Sequence, residues 1–250
     1  MDLKEICMYL DDVLKINEID DYSINGLQVE NNGVVTKAAC AVDASVETFE
    51  KAINIGADFL LVHHGILWKN DFRVTGNMYE RVKMLVDNNI SLYAAHLPLD
   101  IHPVFGNNSR ISDVLGWESI EDFGKYHGML IGKLFRFNKP KKINEIAEEI
   151  KTKIGGEPVL WPFGKAEIKS VAYISGGGIS MLNQAIEADI DCFITGEPAH
   201  SAFWLAKEAG INVIFAGHYY TETLGVKSIA KELKNKFKID TEFIELPTGY

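Results

Sequence analysis

A chain of 250 residues with 47% apolar and 10% aromatic content can bury a substantial core, as one large α/β unit or as two interlocked smaller domains. That composition excludes a disordered chain, and no apolar run nears the roughly 20 residues that cross a bilayer, so a membrane span is excluded as well. A formal charge of −10 repels nucleic acid on average, leaves at most a local basic patch around Lys139, Lys141 and Lys142, and makes cations the natural partners.

The chain opens with MDLKEICMYLDDVLK, where Leu3, Ile6, Leu10, Val13 and Leu14 fall at helical spacing with acids between them. This predicts an amphipathic helix rather than a signal peptide, and hence a cytoplasmic protein. Cys7, Cys40 and Cys192 lie far apart with no CxxC pair, a pattern of buried, reduced thiols rather than of disulfides or a thiolate zinc site. Short apolar runs predict strands near 37–42, 58–62, 91–95, 129–137, 168–174, 191–195, 212–216 and 241–246. Between them, Ser45 can cap a helix that Gly56 stops, and Met78, Val82, Leu85 and Val86 stripe another that ends at Asn88 and Asn89. Further helices are predicted over 143–153, 180–188, 199–209 and 223–237.

Strands alternating with helices define an α/β fold, expected as two linked α/β domains with mostly parallel or mixed sheets flanked by helices. Residues 101–128 carry the weakest periodicity, which places the junction near 125. Residues 1–125 would form a first domain carrying His63, His64 and Asp100, and residues 126–250 a second carrying His218 and Glu222. The halves share a loose β/α rhythm but no close repeat.

Three apolar runs end alike. Phe59 to Val62 gives His63-His64-Gly65, Leu92 to Ala95 gives His96, and Val213 to Gly217 gives His218. In open α/β sheets ligands bind beyond the carboxyl ends of the strands, so these side chains can converge though distant in sequence. Asp100 follows His96 through Leu97-Pro98-Leu99, where Pro98 disfavours a regular helix and loop geometry decides which of the two points inward; Asp100 is preferred. His218 and Glu222 are four apart at a helix start and share a face. Successive strand residues face opposite ways, so His63 and His64 can both serve one site only if the chain has already left the strand, a turn that Gly65 eases. Alone, each piece has a plain explanation: a hydrogen-bonded histidine, a polar helix face. Their repetition at three strand ends favours a metal, or a metal pair, held by imidazole and carboxylate without thiolate, a set that suits zinc, iron, manganese, cobalt or nickel.

Two further features carry less specific signals. Ser175-Gly176-Gly177-Gly178 joins a strand to a helix and is either an amide cradle for an anion or a tight turn; it lacks both the P-loop lysine and the dinucleotide spacing. Glu197, in TGE with His200 nearby, repeats the strand-end pattern and can orient a water, a histidine or a substrate amine, or cap the next helix. Asp43 stands in the equivalent position after Ala38 to Val42.

With these residues assembled, the chain resembles the NIF-three-like family, whose bacterial and archaeal members are labelled GTP cyclohydrolase I type 2 homologues. The likeness covers nearly the whole length through NGLQV at 25–29, LVHHG at 61–65, HLPLD at 96–100, SGGG at 175–178, TGE at 195–197 and GHYYTE at 217–222. One local departure is Gly106-Asn107-Asn108. The resemblance implies a pair of divalent ions ligated by His63, His64, Asp100, His218 and Glu222, with His96 a neighbour of the metals, and a ring-shaped homohexamer. It also implies metal-dependent hydrolysis of a nucleotide, in which Glu197 or His96 would shuttle protons and the Ser175–Gly178 loop would hold phosphate. A nucleotide phosphoesterase would need much the same residues. A non-catalytic metal scaffold is the alternative from another class.

Overall fold

The computed structural model describes residues 1–69 and 73–250. Along the chain run α1 (Leu3–Leu14), β1 (Gly26–Val29), β2 (Lys37–Asp43), α2 (Val46–Asn54), β3 (Phe59–His64), α3 (Asn77–Asp87), β4 (Ser91–Ala94), α4 (Leu97–Ile101) and α5 (Asn107–Leu115). They are followed by β5 (Ser119–Tyr126), β6 (Met129–Lys141), α6 (Ile143–Lys153), β7 (Val159–Pro162), β8 (Ile168–Tyr173) and a 3-10 turn (Gly178–Met181). The last elements are α7 (Leu182–Glu187), β9 (Cys192–Thr195), α8 (His200–Ala209), β10 (Asn212–Phe215), α9 (His218–Phe237) and β11 (Asp240–Phe243).

Two sheets organise these elements. The first has the order β1-β4-β3-β2-β11, parallel except for β1, which runs antiparallel to β4. The second has the order β5-β6-β8-β9-β10-β7; its centre, β8-β9-β10, is parallel and its outer pairs are antiparallel. The fold is therefore mixed α/β, with two sheets flanked by helices.

Two compact units divide the chain: Met1–Phe105 with Gly225–Leu246, and Gly106–Leu224 with Pro247–Tyr250. The junction lies at 105/106 rather than near 125, and residues 225–246 belong to the first unit. The reason is packing. Ile111, Leu115 and Trp117 join the core of Phe135, Ile146 and Val171, whereas Val226, Ile229, Leu233 and Phe237 share a core with Leu3, Leu10 and Tyr93. Strand β11 completes the assignment by pairing with β2.

In the first unit the central strands are buried on both faces, and alternation sorts their side chains. Phe59 and Leu61 of β3 pack with α1 and the later turns of α9, while Leu60 and Val62 pack with Ala52 of α2 and Leu85 of α3. Asp2 caps α1 by accepting from the amides of Lys4 and Glu5, and the stripe of Leu3, Ile6, Leu10 and Leu14 is buried as its spacing requires.

In the second unit Asp191 ties two strands together. Its carboxylate accepts from the amides of Lys169 (2.9 Å) and Ser170 (3.0 Å) and from the Ser170 hydroxyl (3.1 Å), and Lys165 donates to it at 2.7 Å. Burial pushes this carboxyl up, but the Lys165, Lys169 and Ser170 bonds outweigh burial and hold it below the usual range. A depressed folded-state pKa contributes stability that is full above the unfolded value of about 3.9 and is lost as pH falls below it. Asp191→Ala should therefore cost about 2 kcal/mol at pH 7 and progressively less on acidification, read from urea midpoints at pH 7 and pH 3. An equal cost at both pH values would refute the charged role.

Candidate metal centre

Within the first unit, His63 is buried at the end of β3 and its Nδ1 lies 2.9 Å from the Ala95 carbonyl. A carbonyl only accepts, so Nδ1 carries the proton and Nε2 carries the lone pair of the neutral ring. Nε2 lies 3.5 Å from Oδ2 of Asp100, which is itself buried. His64 Nδ1 lies 2.8 Å from Oδ1 of Asp43, so the acid that ends β2 orients a histidine.

His96 is built the same way. Its Nδ1 is 3.0 and 3.1 Å from the two oxygens of Asp21, a carboxylate 5% exposed. Burial pushes Asp21 up, but hydrogen bonds from His96, Asn25 and the Ser23 amide, with the His96 charge, bring it down to about 2. One ring nitrogen from each of His63, His64 and His96 lies within 4.8 Å of the others, and the ring centroids are 4.6, 5.1 and 5.6 Å apart. These three imidazoles form a cluster that can hold a metal ion.

Two expectations about this region are corrected. His63 and His64 both lie inside β3 rather than beyond it. The ladder to β4 stops at Val62 and Ala94 while the ladder to β2 continues to Asp43 and His64, so the strand end has lost one neighbour and the two rings can approach. Pro98 does not prevent a helix: it sits in the first turn of α4, where its missing N–H costs nothing, and that turn sets Asp100 against His63.

Within the second unit, His218 opens α9 and Glu222 follows one turn later. His218 Nε2 lies 3.1 Å from Oε1 of Glu222, and Nδ1 lies 3.2 Å from Oε2 of Glu197. Burial works against a charge on His218, yet Glu222 and then Glu197 overcome it and push the imidazole up to about 9. Two donors about 3 Å apart suit a common ion at about 2.0–2.2 Å from each. Glu197 thus orients a histidine, one of the roles its position allows.

The glycine loop packs against this pair. Ser175 N donates to Oδ1 of Asn108 (2.9 Å) and Gly176 N to the Thr221 hydroxyl (3.0 Å), while the Gly176 carbonyl accepts from Gly196 N (2.8 Å) and the Thr195 hydroxyl (3.0 Å). Gly176 has φ +59°, and a Cβ there would lie 2.1 Å from Oε1 of Glu222 and 3.2 Å from Nε2 of His218. The absent side chain is what lets the loop pass so close to the pair. Asn108 also donates to the Ser175 hydroxyl at 2.9 Å. Sequence reasoning gave the Gly106–Asn108 loop no role; it missed Asp21 and Asn108, and only the NGLQV motif beginning at Asn25 hinted at the first.

The fold is a two-unit α/β chain whose strand and helix ends carry imidazole and carboxylate clusters that could hold a metal ion. Comparison with known proteins is specific. The model of the Duf34/NIF3 (NGG1p interacting factor 3) family matches residues 1–248, and this chain belongs to that family. It is 45% identical over 249 residues to an Archaeoglobus fulgidus protein named GTP cyclohydrolase 1 type 2 homolog, covering 100% of both chains. A Pyrococcus horikoshii protein of the same name is 45% identical over 250 residues, again over 100% of both. Among solved structures, a Thermus thermophilus protein superposes with a TM-score of 0.90 at 38% identity over 100% of both chains. No helix among the described residues is long and apolar enough to cross a membrane.

Proposed function

We propose that this chain binds two divalent metal ions through His63, His64, Asp100, His218 and Glu222 and hydrolyses a nucleotide, in keeping with the name its relatives carry. The observation that carries this reading is the buried His63–Asp100 pair. An imidazole locked with its Nε2 lone pair toward a carboxylate 3.5 Å away, in the interior of a strand end, is a donor arrangement that a structural histidine does not need. The other histidines support it, since His64 and His218 likewise have Nδ1 against an acceptor, in their case a carboxylate. The donor set fits a borderline divalent ion, zinc, iron, manganese, cobalt or nickel.

Bound cations would supply an acidified water and charge stabilisation at a carbon or phosphorus centre. The chain's own residues do the rest. Ala95 and Asp43 accept at Nδ1 of His63 and His64 and so favour the tautomer with Nε2 available, while Glu197 fixes the direction of the His218 ring. Glu197 is partly exposed and hydrogen-bonded to His218, a placement suited to exchanging a proton with solvent. Ser175 and Gly176 spend their amides within the fold, so a phosphate held by the loop would rest on Gly177 and Gly178. Three buried thiols, Cys7, Cys40 and Cys192, are consistent with work in a reducing cytoplasm, and the family resemblance supports a homohexamer.

Formate release from GTP by zinc- or manganese-loaded protein, measured beside inorganic phosphate, tests the reaction. Formate at a rate at least about 100-fold above that of a His63→Ala, His64→Ala double variant is the expected result. Phosphate without formate would assign a phosphoesterase instead, and bound metal with neither product would leave a metal scaffold.

A further inference from the structure

We propose that Asp21 and Asn25 are positioning residues that clamp His96 so that its Nε2 serves the metal held by His63 and His64. The inference rests on the metal reading above and goes beyond its five ligands. It draws on the segment before β1, which lies far from His96 in sequence.

Both the ring and the backbone of His96 are gripped. Asp21 takes the ring through Nδ1 at 3.0 and 3.1 Å, and Asn25 accepts from the His96 amide through Oδ1 at 2.8 Å. The clamp is itself braced: Asn25 Nδ2 donates to Oδ2 of Asp21 at 2.8 Å, the Leu97 amide donates to the same oxygen at 2.9 Å, and the Ser23 amide donates to Oδ1 at 3.2 Å. A carboxylate receiving these donors is an acceptor only, so the ring must present Nδ1–H to it. In the neutral ring the lone pair then falls on Nε2. The His96 ring sits 5.1 Å from that of His63 and 5.6 Å from that of His64, centroid to centroid, and a ligand atom of each lies within 4.8 Å of the others. Trp68 packs its ring edge-on at 5.2 Å from His96.

A purely structural staple would also tie this segment to the end of β4, but it would have no need to select a tautomer. Carboxylate partners of metal-bound histidines do select one, and their loss costs about 10–100-fold in metal affinity. Asp21→Asn keeps the size of the side chain but brings a donor to a site that needs only acceptors.

Two measurements decide the matter. In metal-free protein, nitrogen NMR of the ring should show the Nδ1–H tautomer of His96, shifting toward Nε2–H in Asp21→Asn. Cobalt(II) titration should show affinity falling about 10–100-fold in Asp21→Asn and in His96→Ala, with no further loss when the two are combined, because Asp21 acts through His96. Asn25→Ala should fall in the same direction and serves where Asp21→Asn does not fold. An Nε2–H ring in the native protein, or losses that add in the double variant, would overturn the proposal. If the native protein binds no cobalt, the metal reading fails while the tautomer measurement still judges the clamp.

Discussion

His63→Ala should release tightly bound metal from this protein, weakening affinity for zinc or cobalt by well over about 100-fold, since loss of a mere outer partner already costs about 10–100-fold. The side chain is buried, its tautomer is set by the Ala95 carbonyl, and its Nε2 faces Asp100. Asp100→Ala should behave alike, because it removes the carboxylate from the same pair. His127→Ala provides the control: that residue is exposed at a turn beside Tyr126 and should leave metal content unchanged. Metal analysis after exhaustive dialysis reads all three. Equal metal content in His63→Ala and the native protein would refute the proposed centre.

The second large effect concerns the two glycines that meet at His218. A Cβ on Gly196 would lie 2.6 Å from the Gly176 carbonyl oxygen and 2.7 Å from the His218 Cα. Both are backbone atoms fixed by bonds, Gly196 N to Gly176 O at 2.8 Å and Gly217 N to Gly196 O at 3.0 Å, so neither can yield cheaply. Gly196→Ala should cost about 3 kcal/mol or more, enough to unfold a marginal chain. At Gly176 the intruding Cβ meets the end of the Glu222 side chain, which can rotate away. Gly176→Ala should therefore cost less, about 1–2 kcal/mol for a left-handed alanine, while displacing Glu222 and lowering metal affinity. Urea midpoints and metal content together test the contrast. If Gly176→Ala proved the less stable of the two, or kept full metal affinity, the assignment of the loop as a close-packed support for Glu222 would fail.

Much of the fold was legible because its strands are continuous apolar runs. Ala38 to Val42, Phe59 to Val62 and Val213 to Phe215 have no surface-facing alternation to confuse, since each is covered on both faces. What escaped notice lies at sheet edges and in polar helices. Strand β5 reads SIEDFGKY, is largely exposed and carries no strong apolar signal, while β7 is only the four residues VLWP, whose Pro162 argues against a strand except at a sheet edge, where it lies. Helix α5 opens with Asn107-Asn108-Ser109, which reads as a loop. It is a helix because both asparagines are buried, Asn108 by its two bonds to Ser175. The junction was misplaced for the same reason, since this helix and β5 fill the stretch taken as irregular.

The order of residues along the chain is enough to give the residue types and the places where they gather. Imidazoles following apolar runs, carboxylates within four residues of them, and a full set of family motifs require nothing beyond the order of the chain. Tertiary structure decided which acid meets which ring. Asp21 lies 75 residues from His96, Asp43 lies 21 from His64, and Glu197 lies 21 from His218, and only the pairing of strands brings them within hydrogen-bond reach. A histidine's working nitrogen is fixed by the acceptor on its other side. Spacing along the chain names the histidine, but a ring's tautomer and direction come from a partner that folding supplies.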